Sequence, residues 1–538
     1  MDVSSAVRGR PEEAPVPEVI HPKHLARHSM HASSVFSLRP VAAAAGIAIL
    51  ASCGGDNGTE PVEPERTVAS VVVTPAAAQV QNGSSVQLTS RLMDQDGAVF
   101  NSLPAGVTVA WSSEDANIAS VNDAGSVTGK NAGVVKITAT AAGRSAQSTI
   151  TVTEAPLTYS ENAVAVGMRT LTYNDGKYYN AFRDNSTGDY DIYLRTSTDG
   201  VNWTAKIPVS RGAEGKHEMH PAVVAWGSGT DAQVAVAYED RSGTYAQWMV
   251  AVSTDGGDSF QEPVAVSNHQ DSKEARGAIA VGTDGVLYAS WSRQYGSSRW
   301  DQTFFSRSVD GGSTWSEPTV AFHGDHYSFF NNIAAGDAGE VWIAIGDDQF
   351  YKQNIVVVRS SDGGETWSEN QITSHGSMWQ ATTPNIVRAA DGTIHVVWQE
   401  GPHAKGPYRM FHARSTTGGA SWSTPVQVSD DVVVGVGSNI DYAQSPSLAI
   451  GDDGTLYTVW SDDRSGPAPQ PANRNYDVYM ATSSDNGETW SSDVRVNDKP
   501  EVFAQDWASV AVGSAGAVVV WRDARPVDFT QLYYRVFP

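Results

Sequence analysis

Six times between residues 197 and 490 the chain returns to one short pattern: a serine, an acid two residues on, one or two glycines and an aromatic. The copies are STDGVNW from Ser197, STDGGDSF from Ser253, SVDGGSTW from Ser308, SSDGGETW from Ser360, STTGGASW from Ser415 and SSDNGETW from Ser483. The first is one residue short, and Thr417 occupies the acid position of the fifth. The serine hydroxyl and the carboxylate accept backbone N–H groups inside a tight hairpin, glycine supplies positive φ, and the aromatic is left to pack between neighbouring sheets. A second element, an apolar strand ending in an aromatic and a polar cluster, occurs seven times: YYNAFRD to Asp184, VAVAYEDR to Arg241, LYASWSR to Arg293, VWIAIGD to Asp347, IHVVWQE to Glu400, LYTVWSDDR to Arg464 and AVVVWRDAR to Arg525. Together they define an A–turn–B–loop–C–hairpin–D unit returning every 52 to 62 residues. Such a chain builds a stack of like sheets.

The last unit stops after strand C at QLYYRVF, while LTYSENAVAV from Leu157 reads as an orphan D strand. Pairing the two closes a ring. The expected fold is therefore all-β: a seven-bladed β-propeller over 155–538 sealed by both ends of the repeat region. Composition agrees, with 16 Trp, 19 Tyr and 49 Gly against 18% charged residues. The formal charge of −24, with no basic block to offset it, argues against nucleic acid as a partner. A single cysteine, Cys53, excludes an intramolecular disulfide and a thiolate metal cluster.

Ahead of the repeats lie three further segments. Arg39 and Pro40 precede the run VAAAAGIAILA, too short to cross a bilayer as a helix and suited to a signal-peptide core, with Met30 as an alternative start. The run ends Leu50-Ala51-Ser52-Cys53, which resembles the bacterial lipobox. The resemblance implies removal of residues 1–52, lipid attachment at Cys53, a flexible tether over 53–67 and anchoring of an exported protein in the bacterial envelope, at the outer membrane or cell surface. From 68 to 153, short alternating strands make a β-sandwich. The stretch VAWSSEDANIASVNDAGSVTGKNAGVVKITATA is similar to the group 2 bacterial Ig-like domain, which implies a spacer or adhesive module with Trp111 in its core.

The six hairpins resemble the Asp-box (BNR repeat) of sialidase-like β-propellers. In that architecture the hairpins are staples, and strand parity puts the D–A and B–C connections on the opposite rim. The D–A connections concentrate His, Trp, Tyr, Phe and paired charges, so the central mouth beside them is the expected site. Sialidase-like hydrolysis requires a guanidinium cluster, a Tyr–Glu nucleophile pair and an acid. Arg169 sits where the family places the Arg of its R-I-P motif, although Thr170 and Leu171 replace Ile and Pro. Arg276 offers a second guanidinium, and Tyr442 with Glu218 or Glu274 a nucleophile pair. A polysaccharide lyase instead needs a base next to a uronate carboxylate and an arginine to neutralise it; His220, His217, His326 and Tyr327 with Arg276 supply these types. Tyr327, Trp379 and Trp507 are candidates to stack on sugar rings, with Asp441 and Asp506 bonding hydroxyls.

The reading is a carbohydrate- or glycoconjugate-engaging propeller, either a glycoside hydrolase or a polysaccharide lyase. The alternative is a noncatalytic propeller binding a glycan or protein partner at the envelope. A monomer with no cofactor and no metal is expected. The D-D-R and E-D-R clusters at the strand ends are read as salt-bridged corners.

Overall fold

The computed structural model describes residues 66–81, 85–131, 133–153, 157–159, 169–185, 188–210, 217–267, 273–295, 299–324, 327–348, 352–376, 379–402, 408–430, 446–462, 464, 476–498, 504–524 and 531–538. Cys53 and its flanking segments fall outside this set, as do His326, Asp441 and Tyr442. The regular structure of the described residues is all strand apart from one short 3-10 turn at Gly229–Asp231.

The first strands form a sandwich. Val68–Thr74 pairs with Thr89–Asp94, and Ala77–Gln81 runs parallel to Arg144–Thr153, which is followed in its sheet by Gly133–Ala141 and Ala110–Ser113. Gly133–Ala141 alternates buried and exposed positions, as expected of a strand with one face on a core. Val71, Leu88, Leu92, Val127, Ile137 and Ile150 fill that core, and Trp111 packs against it.

The remaining strands pair as consecutive four-stranded antiparallel units, each with a long second strand. The first comprises Leu171–Asn174, Lys177–Asp184, Asp191–Ser197 and Ile207–Pro208; the second, Glu218–Trp226, Gln233–Asp240, Gln247–Ser253 and Val264–Ala265. Units with inner strands Lys273–Val281, Tyr327–Ala335, Trp379–Arg388 and Ser447–Ile450 follow in the same order. In the last, Gln505–Gly513, Gly516–Asp523 and Gln531–Phe537 are joined by Leu157–Tyr159, whose Leu157 lies opposite Tyr534. The orphan strand thus completes the final sheet. Unlike the sandwich strands, Ile394–Pro402 is buried at nearly every position, because a sheet with neighbours on both faces has no solvent side.

Every unit shares an apolar cluster with the next, and the last shares one with the first: Leu171, Tyr178 and Phe182 pack with Val518, Val520 and Tyr534. Tyr534 also donates its hydroxyl to Asn180 Oδ1 at 2.7 Å. The hairpins supply the wedges. In the third unit Ser308 Oγ lies 2.8 Å from Asp310 Oδ1 and accepts Gly312 N–H at 2.8 Å, and the same hydroxyl contact recurs at Ser253, Ser360, Ser415 and Ser483. The aromatic that follows enters the cluster shared with the preceding unit, as Trp203 does 4.5 Å from Tyr534. Thr417 replaces the acid with its own hydroxyl, accepting Ser421 N–H at 2.9 Å.

Between the second and third strands of the fifth unit, His395 Nδ1 meets His412 Nε2 at 3.0 Å, and His412 lies edge-on to Trp490 of the sixth unit's hairpin. Burial pushes the two rings down, to about 4 and about 3, from an ordinary 6.5. The unfolded chain therefore binds these protons first as pH falls.

Two predictions follow from this packing. Gly312 has φ +92°, and a Cβ there would stand 2.5 Å from Val252 of the preceding unit, whereas Gly176 has φ +82° and open space around it. Gly312→Ala is expected to lose about 1–3 kcal/mol more than Gly176→Ala, the overpacking cost added to a common backbone cost; denaturant titration of both variants checks it. The histidine pair is expected to contribute stability in full above pH 6.5 and to lose it as pH falls towards 4. Its loss, about 6 kcal/mol for the two rings together, should be flattened in a His395→Leu/His412→Leu double variant measured by urea unfolding across that range.

Candidate active site

Four inner strands share one irregularity: each breaks register once near its start, just after its D–A connection. The skipped residues are His220-Pro221 in the second unit, Arg276-Gly277 in the third, Thr383-Pro384 in the fifth and Trp507-Ala508 in the last. They face Tyr238, Trp291, Trp398 and Trp521 on the neighbouring strands, positions where one residue opposes two. The leading residue of each bulge is left-handed: φ is +53° at His220, +49° at Arg276, +52° at Thr383 and +57° at Trp507. For non-glycine residues this costs about 1–3 kcal/mol each and re-aims the side chain out of the ordinary alternation. The second residue is one that tolerates the geometry. Proline has no N–H to leave unpaired, and a Cβ on Gly277 would overlap Trp248.

Electrostatics tie these positions together. His220 Nδ1 lies 2.8 Å from Glu239 Oε2, and Arg241 Nε donates to Glu239 Oε1 at 2.5 Å. Burial pushes His220 below its ordinary value; Glu239 opposes that shift, while Arg276 and Arg241 add to it. Burial would raise Glu239, but bonds from His220 and Arg241 outweigh it and hold the carboxyl low. Arg183, buried and stacked over Tyr190 at 4.3 Å, is lowered to about 10 by burial, with further contributions from Arg522 and Arg241. Arg522 is held by two bonds of 2.5 Å to Asp506. Arg241 and Arg276 thus act on His220 from the second and third units, and Arg183 of the first unit lies within electrostatic reach of Arg241 and of Arg522 in the last.

On the fifth unit the lining is aromatic. Trp379 Nε1 donates to Glu400 Oε1 at 3.3 Å, Trp398 Nε1 to Glu400 Oε2 at 2.9 Å, and His375 Nε2 stands 3.2 Å from the same carboxylate. Burial opposes ionisation of Glu400, yet these donors hold its carboxyl below the usual range.

Of the residues singled out by sequence, His220, Arg276 and Trp507 occupy equivalent bulges, and Trp379 begins the fifth inner strand. Three take other places. Arg169 reaches from the first unit to the carbonyl oxygens of Ile333 and Ile386 on the fourth and fifth inner strands. Its guanidinium thus bonds two inner strands of other units. Glu218 is buried between the first and second units, 3.4 Å from Ser210 Oγ, and burial, with Asp191 and Asp240, pushes it to about 7. Two residues apart, Glu218 and His220 would share a face of a regular strand, and the bulge at His220 re-aims the imidazole out of that alternation. Asp506 is buried with both oxygens on Arg522, so it braces an arginine and is not presented to hydroxyls. Glu274 lies on the third inner strand opposite Arg293, and Tyr327 on the fourth opposite Asp348. Tyr442 and Asp441 lie outside the described residues. His217 is exposed, its ring 5.2 Å from Tyr190.

Sequence reasoning passed over Glu239, Thr383, Arg183 and Arg522, and read Arg241 only as a corner. The usable signal was the pair His-Pro, Arg-Gly, Thr-Pro or Trp-Ala at the start of each inner strand. As corners, the acid–Arg clusters do carry ion pairs: Arg464 meets Asp462 at 2.5 Å and Asp493 at 2.7 Å.

Residues 67–152 match the family model of the bacterial Ig-like domain (group 2). The chain is 32% identical over 155 residues to Ice-binding protein 1 of Shewanella frigidimarina (strain NCIMB 400), a match covering 28% of this chain and 16% of that protein. Among solved structures it is similar to an ulvan lyase of a new polysaccharide lyase family, with TM-score 0.45 and 14% identity, over 71% of this chain and 96% of that one. It is also similar to a Hadza microbial sialidase, with TM-score 0.42 and 16% identity, over 63% of this chain and 73% of that one.

The histidine's surroundings set the sign of its response. His220 is expected to titrate below 6.5. Glu239→Gln should move the midpoint lower still and Arg276→Gln should move it up, read from the imidazole nitrogen shifts by NMR.

Proposed function

We propose that the four-stranded units close into a seven-bladed, Asp-box propeller over 155–538, carried behind an Ig-like module at 68–153 and a tether at 53–67 by a lipidated Cys53 on the bacterial envelope. The pairing of Leu157–Tyr159 with Gln531–Phe537 and the apolar cluster between last and first units support the closure. The Leu-Ala-Ser-Cys run supports the anchor.

The rim engages an anionic carbohydrate, and the reaction it suits best is β-elimination from a uronate-containing polysaccharide. One observation carries this reading: Arg241 and Arg276 act on a histidine held low and bonded to Glu239, and Arg183 and Arg522 continue the run of guanidiniums from Arg241. Guanidiniums pair with a carboxylate by charge-assisted hydrogen bonds, and a neutral imidazole is the protonation state that a base requires. Arg276 neutralises the uronate carboxylate, acidifying the adjacent carbon. His220 takes that carbon's proton, the electron pair becomes the new carbon–carbon double bond, and the bond to the leaving glycosidic oxygen breaks. The imidazolium returns the proton to that oxygen, so the products are an unsaturated uronate end and a new hydroxyl end. Trp379 and Trp507 stack on the flanking rings.

Hydrolysis by a Tyr–Glu pair has weaker support, since Arg169 and Glu218 are engaged elsewhere. A screen of uronate polysaccharides, sialosides and neutral glycans distinguishes the readings. Elimination yields ultraviolet absorbance from the unsaturated product, hydrolysis yields reducing ends without it, and pure binding yields neither. Wild type is expected to give the absorbing product, His220→Ala to lose at least about a thousandfold in kcat, and Arg276→Ala to lose kcat/KM. Reducing ends without absorbance, or binding without turnover on every substrate, would sink the elimination mechanism.

A further inference from the structure

A second polar cavity lies away from the rim. A cleft of about 640 Å³ runs between sandwich strand Ala77–Gln81 and the outer strand Val494–Arg495 of the sixth unit, with Gln79 and Ser85 on one wall and Ser492, Arg495 and Arg535 on the other. Its size is that of a site for a small ligand or a few sugar rings. Both bounding strands are terminal in their sheets, so each lends the walls a backbone edge not used in its own ladder. The walls carry amide, hydroxyl, guanidinium and carboxylate groups, the last from Asp493 and Asp498, which makes them poor partners for an apolar ligand.

Arg535 is the residue that needs explaining. It belongs to strand Gln531–Phe537 and is only 5% exposed. One Nη donates to Val496 O and the guanidinium lies 5.2 Å from the Phe537 ring, yet its Nε has no hydrogen-bond partner among the described residues. Burying a guanidinium with an unmet donor is costly, and an oxyanion in the cleft would remove that cost. Arg495, whose Nη2 donates to Asp498 O at 3.3 Å, places a second cation on the same wall. Two carboxylates share the lining: Asp493 is held by Arg464 at 2.7 Å and Asp498 acts electrostatically on Arg535, so the feature that points to an oxyanion is the unmet Nε donor of Arg535 and not an excess of positive charge.

We propose that this cleft is a second, noncatalytic saccharide site taking an oligosaccharide that bears a carboxylate, with the oxyanion on Arg535 and Arg495 and sugar hydroxyls on Gln79, Ser492 and the strand edges. The proposal shares a ligand class with the rim reading but does not rest on it. It fixes a remote stretch of an acidic glycan between the sandwich and the repeat units.

The test uses the full chain carrying His220→Ala and Arg276→Ala, so that rim turnover is absent, with trigalacturonate as the probe and its uncharged methyl ester as the control. Hydrogen exchange at Ala77–Gln81 and Val494–Arg495 is followed with titration calorimetry. Trigalacturonate is expected to slow exchange at both strands, and the ester to bind at least tenfold more weakly. Gln79→Trp, which fills the cleft from the sandwich side and leaves Arg535 in place, should abolish the protection; Arg535→Lys should weaken binding about tenfold with the thermal midpoint checked alongside. Protection absent from both strands, or unchanged by Gln79→Trp, overturns the proposal. Protection by an acidic peptide of equal charge with none by trigalacturonate overturns it as well. Loss of rim turnover in the screen above leaves these readouts unaffected, so the two readings fail separately.

Discussion

At six junctions between neighbouring sheets, the closing hairpin of one unit drives an aromatic ring and a glycine backbone into the face of the unit before it. Everything else in the repeat region depends on that contact. The serine hydroxyl bonds keep the hairpin tight enough to present the ring, and the absent Cβ lets the backbone approach, as Gly312 does against Val252. Because each wedge enters the preceding unit, the first hairpin's Trp203 needs a unit before it, and the last unit supplies one through Tyr534. The same geometry explains why the long second strands are apolar on both faces: a sheet wedged from one side and wedging on the other has no wet face.

The inner strands stand under a different constraint. Their bulges adopt left-handed backbone at histidine, arginine, threonine and tryptophan, residues that gain nothing locally from that conformation. Packing against fully buried Trp291, Trp398 and Trp521 holds the strands rigid enough to sustain it. The sheets thus store strain at the one level where His220, Arg276 and Trp507 are turned out of the strand alternation. Strain repeated at equivalent positions of separate sheets is a property of the architecture; what differs between sheets is the side chain it displays.

Much of the fold was legible because repetition gives many chances to read one rule. Six hairpins and seven apolar strands expose the unit even with Thr417 in an acid's place. The orphan strand at Leu157 was legible by subtraction. The site was less so, for physical reasons. A register slip leaves no mark in composition, so nothing in the chain announced that Glu239 would reach His220 across the bulge. Arg183 and Arg522 looked like strand-end polar residues, since only the arrangement of sheets brings the last unit beside the first. Arg169 misled because its neighbourhood in sequence, just before the first inner strand, matches a ligand-holding position, while its long side chain finds carbonyl oxygens on the fourth and fifth units.

The run of arginines separates structural from functional charge. Arg522 with Asp506 and Arg241 with Glu239 are paired at 2.5 Å, and such pairs do the ordinary work of bracing strand ends, as Arg464 does with Asp462 and Asp493. A brace, however, needs no second guanidinium nearby. Arg183 is buried close enough to Arg522 and Arg241 for both to depress it, and Arg276 acts on His220 in the same sense. Crowding like charges in a partly desolvated place works against folding, and dispersing them over a surface of net charge −24 would be easier. The carboxylates of Glu239 and Asp506 reduce that repulsion. An anionic ligand would reduce it further, and its charge would enter where the inner strands are already strained.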